Sequence, residues 1–426
     1  MSRALTLLVM LLSLVSAAPA QGLPDAWWTD STEARLALAD QLVESGATFD
    51  PLYRALAAGR PRWPDAPVGR LERTRRNRDG QSFAYQVLVP KDYDPAKRHP
   101  VRVYLHGGVA RREPGRWRDP ERVARPGELA VFPSAWADAL WWDWSQVENL
   151  HGILVDLKRE YNVDENRVYL VGVSDGATGA YYQAFKAPTI WAGFVCLIGH
   201  PAVLSNPRFA ESGEIFARNL SHQALFVANA TDDRLYPTRT VAPFVGLFER
   251  VGAAVTFRDK PGDHGVAWWP EEAERIERFV SEHPRAPLPD TLDWETESVT
   301  RGNRVAWLRI DRLASEPARR DPLADDPFPH FQPTGRVRLE RAGNRIALTS
   351  YNVAALTLLL APDRLAFDRP LELVVNGHPA VRVPLEPSVR TLLTWAARDV
   401  DRTMLFGAEL EVRIAADGAA TVGLRR

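Results

Sequence analysis

Residues 168–185 join an apolar β-type run, a glycine-flanked serine and a helix-compatible segment with no loop between them. The run ends in the pattern Gly-x-Ser-x-Gly, with Ser174 at its centre. A serine on a sharp strand-to-helix turn leaves little room on either side, so both flanking positions favour glycine. Such a turn exposes the hydroxyl and directs the first amides of the helix towards a reacting oxygen. The pattern therefore predicts a nucleophilic serine, and a serine that only caps the helix is the alternative.

A carboxylate and a histidine follow Ser174 in the chain order that this kind of site requires. Asp232 and Asp233 come directly after a short apolar strand-like run. We predict Asp233 as the acid because of its spacing to Pro237, and Asp232 is the alternative. His264 lies in a glycine-containing loop after the next strand-like run. It is predicted to take the proton of the serine, while the acid orients its imidazole.

A fourth element lies upstream, where the predicted strand 100–105 leads directly into His106-Gly107-Gly108. A turn of this composition can bring backbone amides close to the nucleophile, because no side chain blocks the approach. We predict an oxyanion hole made of the amides of Gly108 and Asp175. His106 is expected to order this loop rather than to transfer protons.

With these elements in place, residues 68–283 resemble an α/β-hydrolase of the secreted esterase branch, near polyhydroxybutyrate depolymerases and feruloyl esterases. The segments 85–90 and 163–169 are similar to that branch, as are the His-Gly-Gly strand and the ordered serine, aspartate and histidine. Two departures leave the substrate open. The chain has Gly176-Ala177 where many relatives carry two glycines, and its single cysteine, Cys196, cannot supply the cysteine pair that several carry.

The resemblance implies an α/β fold with a mostly parallel sheet flanked by helices, and a serine hydrolase that cleaves carboxylic esters through an acyl-enzyme intermediate. The ester substrate, polymeric or aromatic among the options, stays open between a polyester, an aryl ester and an acylated saccharide. No cofactor or metal is expected, because no dinucleotide, phosphate-loop or zinc-type motif is present. A serine peptidase of the prolyl-oligopeptidase type and a non-catalytic hydrolase-like binding protein are the alternatives.

Four further residues are candidates for substrate binding: Trp142, Trp144, His200 and Trp268. Tryptophan is more often part of the core, so a structural role is the competing interpretation for each. The adjacent Arg111 and Arg112 either attract an acidic substrate or form an ordinary exposed basic pair. The formal charge of −1 and the lack of a dense basic stripe argue against nucleic acid as a partner. The sequence does not predict an oligomeric state.

The remaining expectations concern organisation and location. Residues 1–20 have the order of charge, apolar run and small residues of a cleaved signal peptide, which predicts a secreted or periplasmic protein. The arginine-rich composition suggests a bacterial source. No second long apolar run is present, so no membrane span is expected in the mature chain. A helical segment with a linker is expected over 21–67, packed on the catalytic domain or acting as a lid. The catalytic domain is expected over 68–285. A β-sandwich-like domain is expected over 290–426, with a hairpin turn at Asn376-Gly377. Its predicted strands cover 305–310, 336–340, 345–349, 355–360, 371–375, 380–384 and 409–414.

Overall fold

The computed structural model describes residues 23–29, 31–210, 212–315 and 327–425. An eight-stranded sheet lies at the centre of the first large part of the chain, in the order β1-β2-β4-β3-β5-β6-β7-β8. Its strands are β1 Gly69–Arg76, β2 Ser82–Val89, β3 His99–Leu105, β4 Leu129–Pro133, β5 Val163–Val173, β6 Gly193–Leu197, β7 Ala224–Ala230 and β8 Ala254–Lys260. Strand β2 pairs antiparallel with both of its neighbours, and all other neighbouring strands are parallel.

Helices cover both faces of this sheet, as the continuous apolar sequences of its central parallel strands require. They are α4 Trp144–Glu160, α5 Asp175–Lys186, α6 Thr238–Arg250 and α7 Trp269–Glu282. One apolar cluster fills each side of the sheet, and strands β4, β6 and β7 are buried along their whole length. This arrangement is the α/β-hydrolase fold that the sequence predicts. The carboxyl ends of β3, β5, β7 and β8 meet at one edge, where the predicted site residues follow.

The C-terminal part is a β-sandwich of two five-stranded sheets, as expected. One sheet has the order β10-β11-β14-β17-β18 and the other β16-β15-β13-β12-β9. The strands are β9 Thr291–Thr296, β10 Arg304–Val305, β11 Leu308–Leu313, β12 Gly335–Ala342, β13 Arg345–Tyr351, β14 Val353–Leu360, β15 Leu371–Val375, β16 Val381–Val383, β17 Ala408–Ile414 and β18 Ala420–Arg425. A single α-helix, α8 Val389–Asp399, lies among them in the described part of the chain.

The sandwich differs from the sequence expectation in three places. The predicted strand 305–310 is divided by a turn in which Ala306 has a φ of +46°. Strands β9 and β18 lie outside the predicted set. Both strands alternate, but β9 offers only Leu292 and Trp294 as large apolar residues, and β18 has no fully buried residue and contains a glycine, so neither pattern is long enough to mark a strand. The predicted turn at Asn376-Gly377 is present, with positive φ at both residues.

Three helices precede the hydrolase sheet: α1 Ala26–Thr29, α2 Thr32–Glu44 and α3 Phe49–Ala58. The sequence suggested that this segment packs on the catalytic domain or acts as a lid, but α2 and α3 pack against α8 of the sandwich. The physical reason is the apolar face of α8, where Leu392 and Leu393 are buried against Trp27 and Leu56. Helix α1 also contacts α4 of the hydrolase part.

The predicted signal peptide, residues 1–20, lies outside the described residues. In the described part of the chain, no helix is both long and apolar enough to cross a bilayer. The domain limits drawn from the sequence stay predictions.

Candidate active site

Ser174 lies at the sharp turn between β5 and α5, with a φ of +56° and a ψ of −118°. Positive φ is rare for a residue with a side chain, and such strain is tolerated where the surrounding structure fixes the backbone. The glycines two residues before and after Ser174 show how tightly this turn is packed. A Cβ atom at Gly172 would lie 2.1 Å from the carbonyl oxygen of Gly176, and one at Gly176 would lie 2.0 Å from that of Leu105. The sequence pattern is therefore a packing requirement of this turn.

The structure brings the three predicted residues together. The hydroxyl oxygen of Ser174 lies 2.8 Å from Nε2 of His264. On the other side of the same imidazole, Nδ1 lies 2.7 Å from Oδ2 of Asp233. The residues come from the loops after β5, β8 and β7, three strands that lie near one another in the sheet. Their order and distances are those of a hydroxyl, a base and an orienting carboxylate.

Asp233 is buried, whereas the neighbouring Asp232 is exposed, so only Asp233 reaches the imidazole. Its second oxygen, Oδ1, accepts hydrogen bonds from the amides of Leu235 and Tyr236, at 2.8 and 3.0 Å. Burial alone would raise the pKa of Asp233. The two amides and the imidazole of His264 outweigh burial and hold the pKa of this carboxyl below its usual value. The carboxylate is thus kept ionised and fixed against the histidine.

The glycine loop after β3 lies directly against the serine. A Cβ atom at Gly107 would lie 2.9 Å from that of Ser174, so the close approach depends on glycine at this position. Gly108 has a φ of +71°. The carboxylate of Asp175 accepts a hydrogen bond of 2.9 Å from the amide of Val109 and so ties this loop to the start of α5. The amides of Gly108 and Asp175, the two predicted oxyanion donors, lie in the two segments that this bond connects.

His106 is buried behind the loop and holds it in place. Its Nε2 accepts a hydrogen bond from the amide of Ala135, which leaves Nδ1 to donate to the carbonyl of Gly107. The indole of Trp141 donates to the carbonyl oxygen of His106 at 2.8 Å. Burial lowers the pKa of His106, so the neutral ring is favoured. These contacts match the ordering role expected from the sequence.

Of the four predicted substrate-binding residues, His200 lies nearest to the triad, since its ring contacts Tyr236 and the ring of Tyr236 contacts that of His264. Its Nδ1 accepts a hydrogen bond from the amide of Ala202, and burial lowers its pKa. The indole of Trp142 is buried and donates to the carbonyl of Phe209. These hydrogen bonds from His200 and Trp142 to the backbone are typical of residues that order a loop.

The other two predicted substrate-binding residues, Trp144 and Trp268, lie away from the triad. Trp144 begins α4 and approaches Gly302, in the loop before β10 of the sandwich. Trp268 is buried in the apolar cluster on one face of the sheet. Its neighbour Trp269 lines the cleft beside the site instead. The structure therefore does not bring Trp144 or Trp268 to that cleft.

This cleft, of about 800 Å³, opens on the glycine-loop side of Ser174. We call it the arginine cleft, because its walls carry Arg111, Arg116, Arg118, Arg122 and Arg125. Trp117 and Trp269 also line it, with ring centroids 6.1 Å apart. Sequence reasoning singled out only Arg111 of this set. The missed signal is the high density of arginine in the connection between β3 and β4.

Among the described residues, no group of three or more histidine, cysteine, aspartate or glutamate side chains is arranged to hold a metal ion. The chain thus has the α/β-hydrolase fold, with three side chains joined by hydrogen bonds at its strained serine turn.

No protein-family model matches the chain, and no curated protein sequence matches it either. Solved structures similar to it include a thermostable esterase, with 20% identity, a TM-score of 0.42 and coverage of 51% of this chain and 63% of that one. A thermophilic esterase from the planctomycete Thermogutta terrifontis has 14% identity and a TM-score of 0.42, with coverage of 52% and 94%. An acylaminoacyl peptidase from Pyrococcus horikoshii has 16% identity and a TM-score of 0.39, with coverage of 50% and 40%. The chain thus spans less than two thirds of the first esterase and of the peptidase.

Proposed function

We propose that the protein is a serine hydrolase that cleaves carboxylic esters with Ser174 as its nucleophile. The observation that carries the proposal is the continuous hydrogen-bonded chain from the serine hydroxyl through His264 to Asp233, with both contacts shorter than 3 Å. A serine hydroxyl is a weak nucleophile, and a base within hydrogen-bond reach is what activates it. The strained backbone at residue 174 supports the same conclusion, because strain of this kind concentrates at functional sites.

In the proposed reaction, the oxygen of Ser174 attacks the ester carbonyl while Nε2 of His264 takes its proton. Asp233 holds the Nδ1–H of the ring and stabilises the imidazolium that forms. The negative oxygen of the tetrahedral intermediate accepts hydrogen bonds from the amides of Gly108 and Asp175, and each such donor typically contributes about 3 kcal/mol. The imidazolium then protonates the departing alcohol, which leaves an acyl-enzyme. Water, activated by the same histidine, releases the acid and restores the serine.

The resemblance to secreted esterases near polyhydroxybutyrate depolymerases and feruloyl esterases supports an ester substrate, while the departures at Gly176-Ala177 and Cys196 leave its identity open. We propose a polyester, an aryl ester or an acylated saccharide as the substrate class. The predicted signal peptide supports action outside the cytoplasm, and Edman sequencing of the exported protein would test this. A mature chain that still begins at residue 1 would contradict it. We also keep the division into a catalytic domain over 68–285 and an accessory domain over 290–426 as a proposal.

The decisive experiment labels the protein with a fluorophosphonate and identifies the modified residue by mass spectrometry. In parallel, hydrolysis of p-nitrophenyl acetate and butyrate is compared with that of a proline p-nitroanilide. We expect the label on Ser174, ester turnover in the wild type and none in Ser174→Ala. Ser281→Ala is a matched control, because Ser281 is exposed on α7 and bonds only to a helix carbonyl. Turnover of the anilide alone would indicate a peptidase, and no label or turnover would indicate a binding protein.

A further inference from the structure

We infer that the arginine cleft binds an anionic group of the ester substrate, so that the enzyme prefers esters that carry a negative charge near the reacting carbonyl. The inference rests on the proposed function and adds the chemistry of the substrate to it. It concerns the cleft defined above by Arg111, Arg116, Arg118, Arg122 and Arg125.

The position of the cleft relates it to the reaction. Its lining includes Gly107 and Gly108 of the oxyanion loop and Val173, the residue before the nucleophile. Val266 and Ala267, two and three residues after His264, line it as well. A substrate whose carbonyl lies at Ser174, with its oxygen towards the glycine loop, therefore has one of its two arms directed into this cleft.

The cleft carries a strong excess of positive charge. Arg111, Arg116, Arg118 and Arg122 form no ion pair with any described residue, and only Arg125 is paired, with Glu277 at 3.1 Å. Asp119 is the one carboxylate among the lining residues that the structure describes. Like charges gathered along a concave wall focus their field and attract an oppositely charged ligand. Guanidinium groups also bind carboxylate, sulfate and phosphate oxygens through paired hydrogen bonds.

Arg111 is the arginine nearest to the proposed oxyanion hole. Its Nε and one terminal nitrogen lie 4.0 Å from the position that a Cβ would take at Gly108. The rings of Trp117 and Trp269 give the same cleft an aromatic wall. An arginine close to the carbonyl position and two aromatic rings in the same cleft suit an organic acyl or aryl group that ends in an anion.

The test compares matched neutral and anionic esters in both possible arms. For the acyl arm, p-nitrophenyl butyrate is compared with the p-nitrophenyl monoester of succinic acid. For the alcohol arm, phenyl acetate is compared with 4-acetoxybenzoate. We expect the wild type to have a higher kcat/KM for the anionic member of at least one pair. We also expect this ratio to fall when the ionic strength rises from about 0.05 M to about 0.5 M, because salt screens exposed charges.

The variants are the triple substitution of Arg111, Arg116 and Arg118 by glutamine, and the control Arg112→Gln. Arg112 is an exposed neighbour in the same loop that does not line the cleft. The triple variant should lower the anionic-to-neutral ratio about tenfold or more, the scale of losing charged hydrogen bonds. The control should leave the ratio unchanged. Fluorophosphonate labelling of Ser174 shows whether each variant is folded, and the salt dependence of the wild type does not depend on the variants.

The outcomes separate this inference from the proposed function. Turnover of the neutral esters through Ser174, without preference for either anion and without salt dependence, overturns the inference and leaves the hydrolase proposal standing. An equal fall of the ratio in Arg112→Gln also overturns it, because a general surface potential would then explain the preference. Absence of turnover on all four esters overturns both. If only the succinate or only the benzoate is preferred, the result assigns the cleft to the acyl or to the alcohol arm.

Discussion

Arginine lies in two contrasting environments in this molecule: the contact between the hydrolase part and the sandwich, and the cleft beside Ser174. At the contact, Arg285 is buried and bonds to Asp401 at 2.6 Å, and Arg402 bonds to Glu165 at 2.5 Å. In the cleft, Arg116 and Arg118 are exposed and have no carboxylate partner among the described residues. A buried charge needs a partner because it has lost its hydration, whereas an exposed charge does not.

The difference in burial and pairing indicates which charged groups stabilise the fold and which are available to bind a ligand. Substituting a contact residue should reduce the stability of the protein while the folded molecules keep their chemistry. Substituting a residue at the site should reduce turnover and leave stability nearly unchanged. The following predictions test that separation, from the largest expected effect to the smallest.

The largest effect is expected for His264→Ala. Loss of the base should lower kcat for p-nitrophenyl butyrate on the order of 10⁶-fold, the loss found for a serine protease that lacks its catalytic histidine. The midpoint of urea unfolding should change little, because His264 is half-buried and the amides of Leu235 and Tyr236 still bond the buried carboxylate of Asp233. His378→Ala is the control, since His378 lies in the sandwich turn near Asp417. Activity within tenfold of the wild type would show that His264 is not the base.

Asp233→Asn should lower kcat about 10⁴-fold, because an amide favours the wrong imidazole tautomer while it keeps the shape of the side chain. The neighbouring Asp232→Asn is a matched control that should retain wild-type turnover, since Asp232 is exposed and does not reach the imidazole. Steady-state kinetics on the same ester measures both. Equal losses in the two variants would contradict the assignment of the acid.

The Asp232 and Asp233 pair shows what a strand pattern cannot decide, because only the spacing to Pro237 favoured Asp233 in the sequence. The order of serine, aspartate and histidine could be predicted, because each residue follows a strand whose apolar pattern is local. Which of two adjacent aspartates is buried depends on the loop that folds Leu235 and Tyr236 back onto one carboxylate. A strand pattern carries no information about such a turn.

Three further features depended on contacts between distant parts of the chain. Trp268 and Trp269 are adjacent in sequence, but the start of α7 buries the first and directs the second into the cleft. The N-terminal helices α2 and α3 pack on α8, more than 300 residues later, and their sequence alone does not identify that partner. The arginines of the cleft lie in the connection between β3 and β4, which has no helical or strand periodicity. The sequence therefore shows that this connection is rich in arginine, but not that the arginines line one cleft.

Asp401→Asn tests the contact side of the comparison. The variant leaves the buried guanidinium of Arg285 without its counter-charge, and removing one partner of such a pair typically costs about 3–5 kcal/mol. Urea unfolding at neutral pH should show this loss, while kcat of the folded variant should stay near that of the wild type. A stability unchanged within about 1 kcal/mol, or a loss of kcat at full stability, would break the proposed separation.

The same pair predicts a pH dependence with a definite sign. Burial would raise the pKa of Asp401, but attraction to Arg285 and Lys158 and hydrogen bonds from Thr403 outweigh it and depress the pKa. A carboxyl whose pKa is lower in the folded state stabilises the fold above its unfolded pKa of about 3.9, and this contribution is lost progressively as the pH falls from there through the lower pKa of the folded state. The stability gap between wild type and Asp401→Asn should therefore narrow in acid. A gap that widens would exclude this linkage.

The smallest effect is expected for Asp40→Ala, which removes the ion pair between α2 and Arg390 of α8. Both side chains are about half exposed, so each keeps much of its hydration when the partner is lost. Exposed pairs of this kind contribute about 0–1 kcal/mol, and the contribution falls with added salt. Urea unfolding of Asp40→Ala beside Asp401→Asn compares two ion pairs that both join the sandwich to other parts of the chain. A loss for Asp40→Ala as large as that for Asp401→Asn would mean that burial does not decide the difference.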